Sequence, residues 1–338
     1  MINYILLIPI LVSFFITLFF LPVWIRKAKQ IGLVWEDMNK LQSEKVSGSG
    51  GVMALGGFTI GILLFVAYRV FYLESYNSHL IEIFALLCSV LMLGGIGFMD
   101  DLFGWQHGGL SKRTRIILVL FAAIPLVVIN AGKSSISLPF VGSLELGLIY
   151  VLVFIPIGIL GATVTFNFLA GYNGLEAGLG AILLFSLSVV ALFTGNSWIS
   201  VVGLCMVFSL LAFLIFNYSP AKVFPGDVIT YPIGGMIAIA AILGNFEKIA
   251  IFFFIPFILE VGLKLRGKLV KQSFGMPGKD GSLRLRYNEI YSLNHLAIYL
   301  MQKYKIKPTE KKVVWAIWAF QIVIVLIGFF IFRKGIFL

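Results

Sequence analysis

The stretch from residue 3 to residue 27, NYILLIPILVSFFITLFFLPVWIRK, decides what kind of protein this is. From Asn3 to Ile25 no side chain is charged, and about 20 such residues are what a helix needs to cross the hydrocarbon of a bilayer. A secretory signal has a shorter apolar region and a small-residue cleavage site, whereas this run ends in Arg26-Lys27. It reads as a first membrane span. Composition agrees: of 338 residues, 60% are hydrophobic and 12% charged, where soluble domains carry about 25% charged residues.

Ten apolar runs can be drawn, at roughly 3–25, 51–73, 81–99, 115–130, 146–166, 174–194, 198–218, 226–244, 248–266 and 313–332. They predict an all-α integral membrane protein, one polytopic domain over residues 1–338 with about ten transmembrane helices. An even number puts both termini on one side. With the amino terminus outside, 21 of the 26 Lys and Arg residues fall on inner connections, leaving Arg69, Lys133, Lys248, Arg333 and Lys334 outside. The positive-inside rule therefore makes both termini extracytoplasmic. The net charge of +11 then reflects this asymmetry and anionic headgroups, so nucleic acid is not an expected partner. Cys88 and Cys205 lie inside apolar runs, which predicts packing and not a disulfide or metal cluster.

Two connections carry structure of their own. Outside, residues 134–147 (SSISLPFVGSLELG) alternate apolar and polar around Gly142, as a small β-hairpin does. Inside, a structured loop runs from about 267 to 312 before the last span. Lys264, Lys268 and Lys271 extend span nine as a basic amphipathic segment. Residues 282–287 (SLRLRY) alternate like a strand and put Arg284 and Arg286 on one face, and residues 290–304 read as a helix lying on the membrane.

Ionisable groups at the edge of hydrocarbon are costly and are functional suspects. Three such edges stand out: Phe98-Met99-Asp100-Asp101, the string from Asn167 to Gly178 (NFLAGYNGLEAG), and Phe224-Pro225-Gly226-Asp227. All three fall on the cytoplasmic side in this topology. Magnesium takes oxygen ligands, keeps several waters and uses few protein groups. Asp227 and the Asn167 amide oxygen suit it, with manganese as a substitute, while His79, His107 and His295 are too scattered for zinc. The competing role for Asp227 is a helix N-cap after the Pro-Gly turn. Asp100 and Asp101 point about 100° apart on a helix and so have different tasks. Lys112 is the candidate phosphate contact, and Arg115 reads as ordinary inner-face charge. Gly171, Gly174 and Gly178 permit close approach and positive φ. Asn173 is placed to read a nucleobase edge, Phe224 to stack on it, and Glu176 to brace the loop.

The pair at 100–101, NFLAGYNGLEAG at 167–178 and FPGD at 224–227, in this order among these spans, resemble the polyprenyl-phosphate sugar-1-phosphate transferases. The nearer branch is the UDP-N-acetylglucosamine:dolichyl-phosphate N-acetylglucosamine phosphotransferases of eukaryotes and archaea. The bacterial muramyl-pentapeptide branch carries an aspartate-rich string where this chain has LAGYNGLEAG. The resemblance implies transfer of a sugar 1-phosphate from a UDP-sugar to a polyprenyl or dolichyl phosphate, with UMP released, as the first membrane step of lipid-linked glycan synthesis. It implies that Asn167 and Asp227 hold magnesium, that Gly171 and Asn173 contact uracil, and that Phe224 stacks on it. Asp100 and Asp101 match the family's acidic pair, one of which acts on the lipid phosphate, and Lys112, with Arg113 as its alternative, matches the phosphate-binding lysine. Where the family carries Arg-His-Arg or His-rich strings in the last inner loop, this chain has Ser273 to Gly281 (SFGMPGKDG). Arg284 or Arg286 is the expected substitute in sugar recognition.

Two other classes share some of these features. A secondary transporter has related halves and charges near the midplane, neither of which is legible here. An intramembrane aspartyl protease needs two aspartates from different spans, which Asp101 and Asp227 could supply, but Phe-Pro-Gly precedes Asp227 in place of that class's Gly-x-Gly. A homodimer is left open, and the compact archaeal-type loop favours the plasma membrane over the endoplasmic reticulum.

Overall fold

Two of the ten apolar runs do not form single helices. The computed structural model of the chain describes residues 4–41, 45–74, 79–132, 135–138 and 142–337. Its helices are α1 (Leu7–Ile31), α2 (Gly51–Phe71), α3 (Leu80–His107), α4 (Lys112–Ala122), α5 (Ile124–Val128), α6 (Ile155–Phe168), α7 (Leu175–Phe193), α8 (Ser197–Asn217), α9 (Asp227–Gly244), α10 (Glu247–Phe253), α11 (Ile255–Arg266), α12 (Leu293–Lys303), α13 (Glu310–Ile331) and α14 (Arg333–Ile336). Among the described residues eight helical segments, built on α1, α2, α3, α6, α7, α8, α9 and α13, are long and apolar enough to cross a membrane. The protein is a mostly helical, multi-pass membrane protein.

The runs at 115–130 and 248–266 each fold as a pair, α4 with α5 and α10 with α11. The second helix of each pair has proline in its first turn, Pro125 and Pro256. A proline ring removes the N–H that would continue the ladder and clashes with the preceding turn. Proline alone does not decide the matter, since Pro22 and Pro232 lie inside α1 and α9 without ending them.

Packing centres on α9, which lies against α3 and α6, while α7 runs along α8 and α1 along α2 and α8. The interior is filled by apolar side chains such as Phe58, Ile62, Val90, Leu93, Ile233 and Met236, all fully buried. Buried charged side chains of the long helices stand near their ends: Arg69 in α2, Asp100 in α3, Glu176 in α7 and Glu310 in α13. The connections 33–50, 108–111, 169–174 and 218–226 meet at one end of the bundle, around a cavity described below. A separate cavity at other helix ends is lined by residues such as His79, Asn130, Asn196 and Asn245, and shares no lining residue with the first.

Strands are short and confined to connections. β1 (Val34–Glu36) pairs antiparallel with β2 (Lys45–Ser47). In the expected hairpin, β3 (Ser135–Leu138) pairs with β4 (Gly142–Glu145), Ser135 opposite Glu145. β5 (Met276–Pro277) pairs with β6 (Leu283–Arg284), so the strand expected over 282–287 is only two residues long. Arg284 is exposed, and Arg286 leaves the strand to bond Gln272. The basic helical extension also stops early: α11 ends at Arg266, and Lys268 and Leu269 both take positive φ. The last helix of the loop starts at Leu293, with Ser292 as its cap. It packs against α11 and α13 and buries Asn294 and His295 completely. Burial holds the His295 imidazole below its ordinary pKa.

The contact of α3 with α9 is tight at one place. A Cβ on Gly97 would stand 2.1 Å from the Asp227 carbonyl oxygen, so only glycine allows the two backbones to touch there. Gly97→Ala should therefore lower thermal stability by about 1–3 kcal/mol, the usual cost of forcing atoms into a filled interior. Gly95→Ala, two residues away with nothing within 4 Å of the new carbon, should leave the melting temperature of the purified protein unchanged.

Candidate active site

The cavity where the helix ends meet has a volume of about 470 Å³. Two of its walls come from α3 and α9. Asp101 turns its carboxylate onto the start of α9, where its oxygens accept the N–H groups of Asp227 at 2.8 Å and Val228 at 3.3 Å. The first N–H groups of any helix lack partners within it, and here a carboxylate from another helix closes two of them. The competing role considered for Asp227 is thereby reassigned. Gly226, at φ +73°, occupies the N-cap position of α9 with no side chain to offer. Asp227 is the first helical residue, its own carboxylate turned to the cavity. Gly226 has no substitute, because a Cβ there would lie 2.2 Å from Asp101 Oδ2.

Asp100 faces a different way. Its carboxylate, 4% exposed as a residue, forms an ion pair with Arg115 Nε at 2.8 Å and accepts the Leu110 N–H at 2.7 Å and the Tyr231 hydroxyl at 3.4 Å. Arg115, read from the sequence as ordinary inner-face charge, is thus a cavity residue held by an acid. Lys112, the expected phosphate contact, opens α4 with an exposed side chain, and neither it nor Arg113 lines the cavity.

From the end of α6, Asn167 meets Asp227 across 60 residues of chain: its Nδ2 donates to Asp227 Oδ1 at 3.1 Å, and its Oδ1 accepts the Thr230 hydroxyl at 3.2 Å. The following turn is built on glycine at two of the three positions expected, Gly171 at φ +101° and Gly174 at φ +87°, while Gly178 is helical and packs on Trp318. Glu176, buried at the start of α7, accepts the Gly171 N–H at 2.8 Å, which is the bracing contact. Asn173 donates its Nδ2 to Asp37 Oδ2 at 2.9 Å and its backbone N–H to Glu310 Oε1 at 3.0 Å. Phe224 lines the same cavity.

The loop between α11 and α12 reaches the cavity through Phe274, whose ring lies against Gly171. The Tyr172 hydroxyl ties the same loop down by accepting the Gly275 N–H at 3.0 Å, and burial pushes its phenol above the ordinary range. Arg284 and Arg286 do not line the cavity. At the loop's far edge the Ser282 hydroxyl and N–H, together with Lys307, hold the Asp280 carboxyl well below the usual carboxylate range.

Asp37, Arg115 and Phe274 are cavity residues that the sequence reading passed over. Asp37 lies in WEDMNK (35–40), among basic residues of the connection between α1 and α2. An acid amid cations beside a span was the available signal. Phe274 had none, since an aromatic in a turn-rich loop is unremarkable until the fold sets it against a glycine.

A bundle of membrane helices that gathers carboxylates, carboxamides and aromatic rings at one end, with no Cys or His among the described lining residues, defines a polytopic membrane protein with a polar site set at its helix ends. The chain belongs to glycosyl transferase family 4, whose model matches residues 83–245, from α3 to the end of α9. It is 35% identical over 326 residues, 95% of each chain, to a Saccharolobus solfataricus protein named, provisionally, as UDP-N-acetylglucosamine–dolichyl-phosphate N-acetylglucosaminephosphotransferase. A Dictyostelium discoideum protein of the same name, without that proviso, is 29% identical over 68% of this chain and 64% of its own length. The phospho-N-acetylmuramoyl-pentapeptide-transferase of Staphylococcus carnosus is 27% identical over 80% of this chain and 85% of its own.

The α3–α9 cap can be tested apart from chemistry. Asp101→Ala should cost about 0.5–2 kcal/mol of stability, the range for losing a helix cap. Asp101→Asn, which keeps an acceptor oxygen, should cost less in the same thermal unfolding measurement.

Proposed function

We propose that this protein transfers N-acetylglucosamine 1-phosphate from UDP-N-acetylglucosamine to a dolichyl or related polyprenyl phosphate, releasing UMP. The names of the relatives support the reaction. The observation that carries it at residue level is the meeting of Asn167 and Asp227, from two helices, on a cavity that also holds Arg115 and Phe224. An oxygen of the lipid phosphate attacks the β-phosphorus. The bond from that phosphorus to the oxygen bridging the α-phosphate breaks, and the leaving group departs as UMP.

The donor set fits a hard divalent cation. Asn167 and Asp227 bring a carboxamide and a carboxylate together at one point, 3.1 Å apart, and both groups carry oxygen donors. No three His, Cys, Asp or Glu side chains form a self-sufficient cage among the described residues, and magnesium needs none, since it fills its remaining positions with water and substrate phosphate. In our reading Asn167 and Asp227 would hold the ion, and Mg2+, or Mn2+ in its place, would supply charge neutralisation to the diphosphate. Arg115, fixed by Asp100, offers a guanidinium whose planar fork matches phosphate oxygens. Phe224 and the turn at Gly171 to Asn173 bind the uridine from two sides. The catalytic demand is alignment and charge placement, so direct attack needs no aspartyl-phosphate intermediate. Asp101, with its oxygens engaged on α9, is occupied in building the wall, which weakens the aspartyl-protease alternative.

We also place this cavity on the cytoplasmic face and both termini outside, from the distribution of Lys and Arg. The pairs α4–α5 and α10–α11 then complete ten crossings. A plasma membrane is our preferred location.

Asp227→Ala and Asn167→Ala should each reduce metal-dependent UMP release to background while the protein still inserts and purifies as a folded species. Near-normal turnover by Asp227→Ala at saturating magnesium would remove it from the metal site. Phe224→Ala should weaken UDP-sugar binding about tenfold, in line with the 1–3 kcal/mol of one base–aromatic stack. Unchanged UDP-sugar binding in a calorimetric titration, with only lipid use impaired, would show the stacking assignment to be wrong.

A further inference from the structure

Glu310 stands outside the cavity, yet three distant parts of the chain converge on its carboxylate. Oε1 accepts the Asn173 N–H at 3.0 Å. Oε2 accepts the Ser219 hydroxyl at 3.0 Å and pairs with Lys40 Nζ at 2.6 Å. The residue is 6% exposed. An acid in the first turn of a helix is favoured by the helix dipole alone, and Glu310 does open α13. That general preference accounts for an acid at this place but not for its burial beneath three donors from the connections after α1, α6 and α8.

The partners share a second link. Asp37, three residues before Lys40, takes the Asn173 side chain through Nδ2 at 2.9 Å. Asn39 donates its Nδ2 to the Gly171 carbonyl at 2.8 Å and its backbone N–H to Asp37 Oδ1 at 3.0 Å. Asn173 is thus held at its backbone by Glu310 and at its side chain by Asp37, and the turn between Gly171 and Asn173 has no freedom to move apart from the 37–40 segment.

We propose that Glu310 is a positioning residue for nucleotide recognition: from behind the cavity wall it fixes Asn173 and, through Lys40, the segment carrying Asp37, and so sets affinity for the uridine half of the donor. The proposal rests on the transferase reading above and adds a residue that touches neither substrate. Its effect falls on binding of the UDP-sugar and leaves the reacting phosphates, at Asn167, Asp227 and Arg115, undisturbed.

The test uses the purified full-length protein in nanodiscs, with calorimetric titration of UDP-N-acetylglucosamine and steady-state UMP release. Glu310→Ala should raise the Kd and the UDP-sugar KM about tenfold, the scale of one lost hydrogen bond to a charged group. It should change kcat less than threefold and leave the KM for polyprenyl phosphate unchanged. Glu310→Gln, which keeps an acceptor for the Asn173 N–H, should restore nucleotide binding to within threefold of the wild type. Thr309→Ala removes the hydroxyl that caps the same helix at Lys312; it should lower the melting temperature without moving the Kd. Should Glu310→Ala fail to fold, Lys40→Ala combined with Ser219→Ala, which strips both donors from Glu310 Oε2 outside the cavity, must bind nucleotide more weakly than the wild type. Nucleotide affinity unchanged in Glu310→Ala, or in the Lys40→Ala and Ser219→Ala double variant where Glu310→Ala does not fold, or moved equally by Thr309→Ala, overturns the proposal and leaves the reaction standing. A wild type that binds no uridine nucleotide overturns the reaction and the proposal together.

Discussion

The site depends on a carboxylate from one helix closing the amino-terminal end of another. The first N–H groups of a helix have no partners within it, and the first turn of α9 presents such groups at the cavity. Asp101 accepts two of them. Because it does so from α3, the cap is also a tertiary clasp, and it fixes where Asp227 stands. The glycines at 97 and 226 are part of the same contact, one letting the backbones touch and the other leaving room for the carboxylate. The family match begins within α3 and ends with α9, so this clasp lies wholly inside the matched segment.

A second layer of polar contacts surrounds that clasp. The connections at this end are not independent loops laid over a bundle. Residues 37–40 reach Gly171 and Asn173, Ser219 reaches Glu310, and Phe274 and Gly275 reach Gly171 and Tyr172. Each link is a single hydrogen bond or ring contact, and such bonds are stronger where water is excluded. Together they give the cavity fixed walls, although most of its lining lies in connections between helices.

What could be read in advance follows from cost. Asp100, Asp101, Asn167 and Asp227 were visible because a polar group at the margin of an apolar run is expensive wherever the fold places it. Span positions were visible for the same reason, and the hairpin at 135–145 from its alternation. Asp37 and Glu310 were not, since an acid in a mixed, water-facing connection costs nothing until folding buries it. Lys112 and Arg115 were confused because both follow the acidic pair within one short loop, and only the helical turn between them separates an exposed cation from a paired one. Arg284 and Arg286 looked like one face of a strand, and a strand of two residues has no such face. The interruptions before Pro125 and Pro256 left no mark in hydropathy, which sees composition and not hydrogen bonds.

The apolar filling between the two ends of the bundle has a consequence for traffic. Phe58, Ile62, Leu93 and Met236 are fully buried apolar side chains. A diphosphate passing between them would give up its water with no partner in exchange, so a charged lipid head gains nothing from the space between these four.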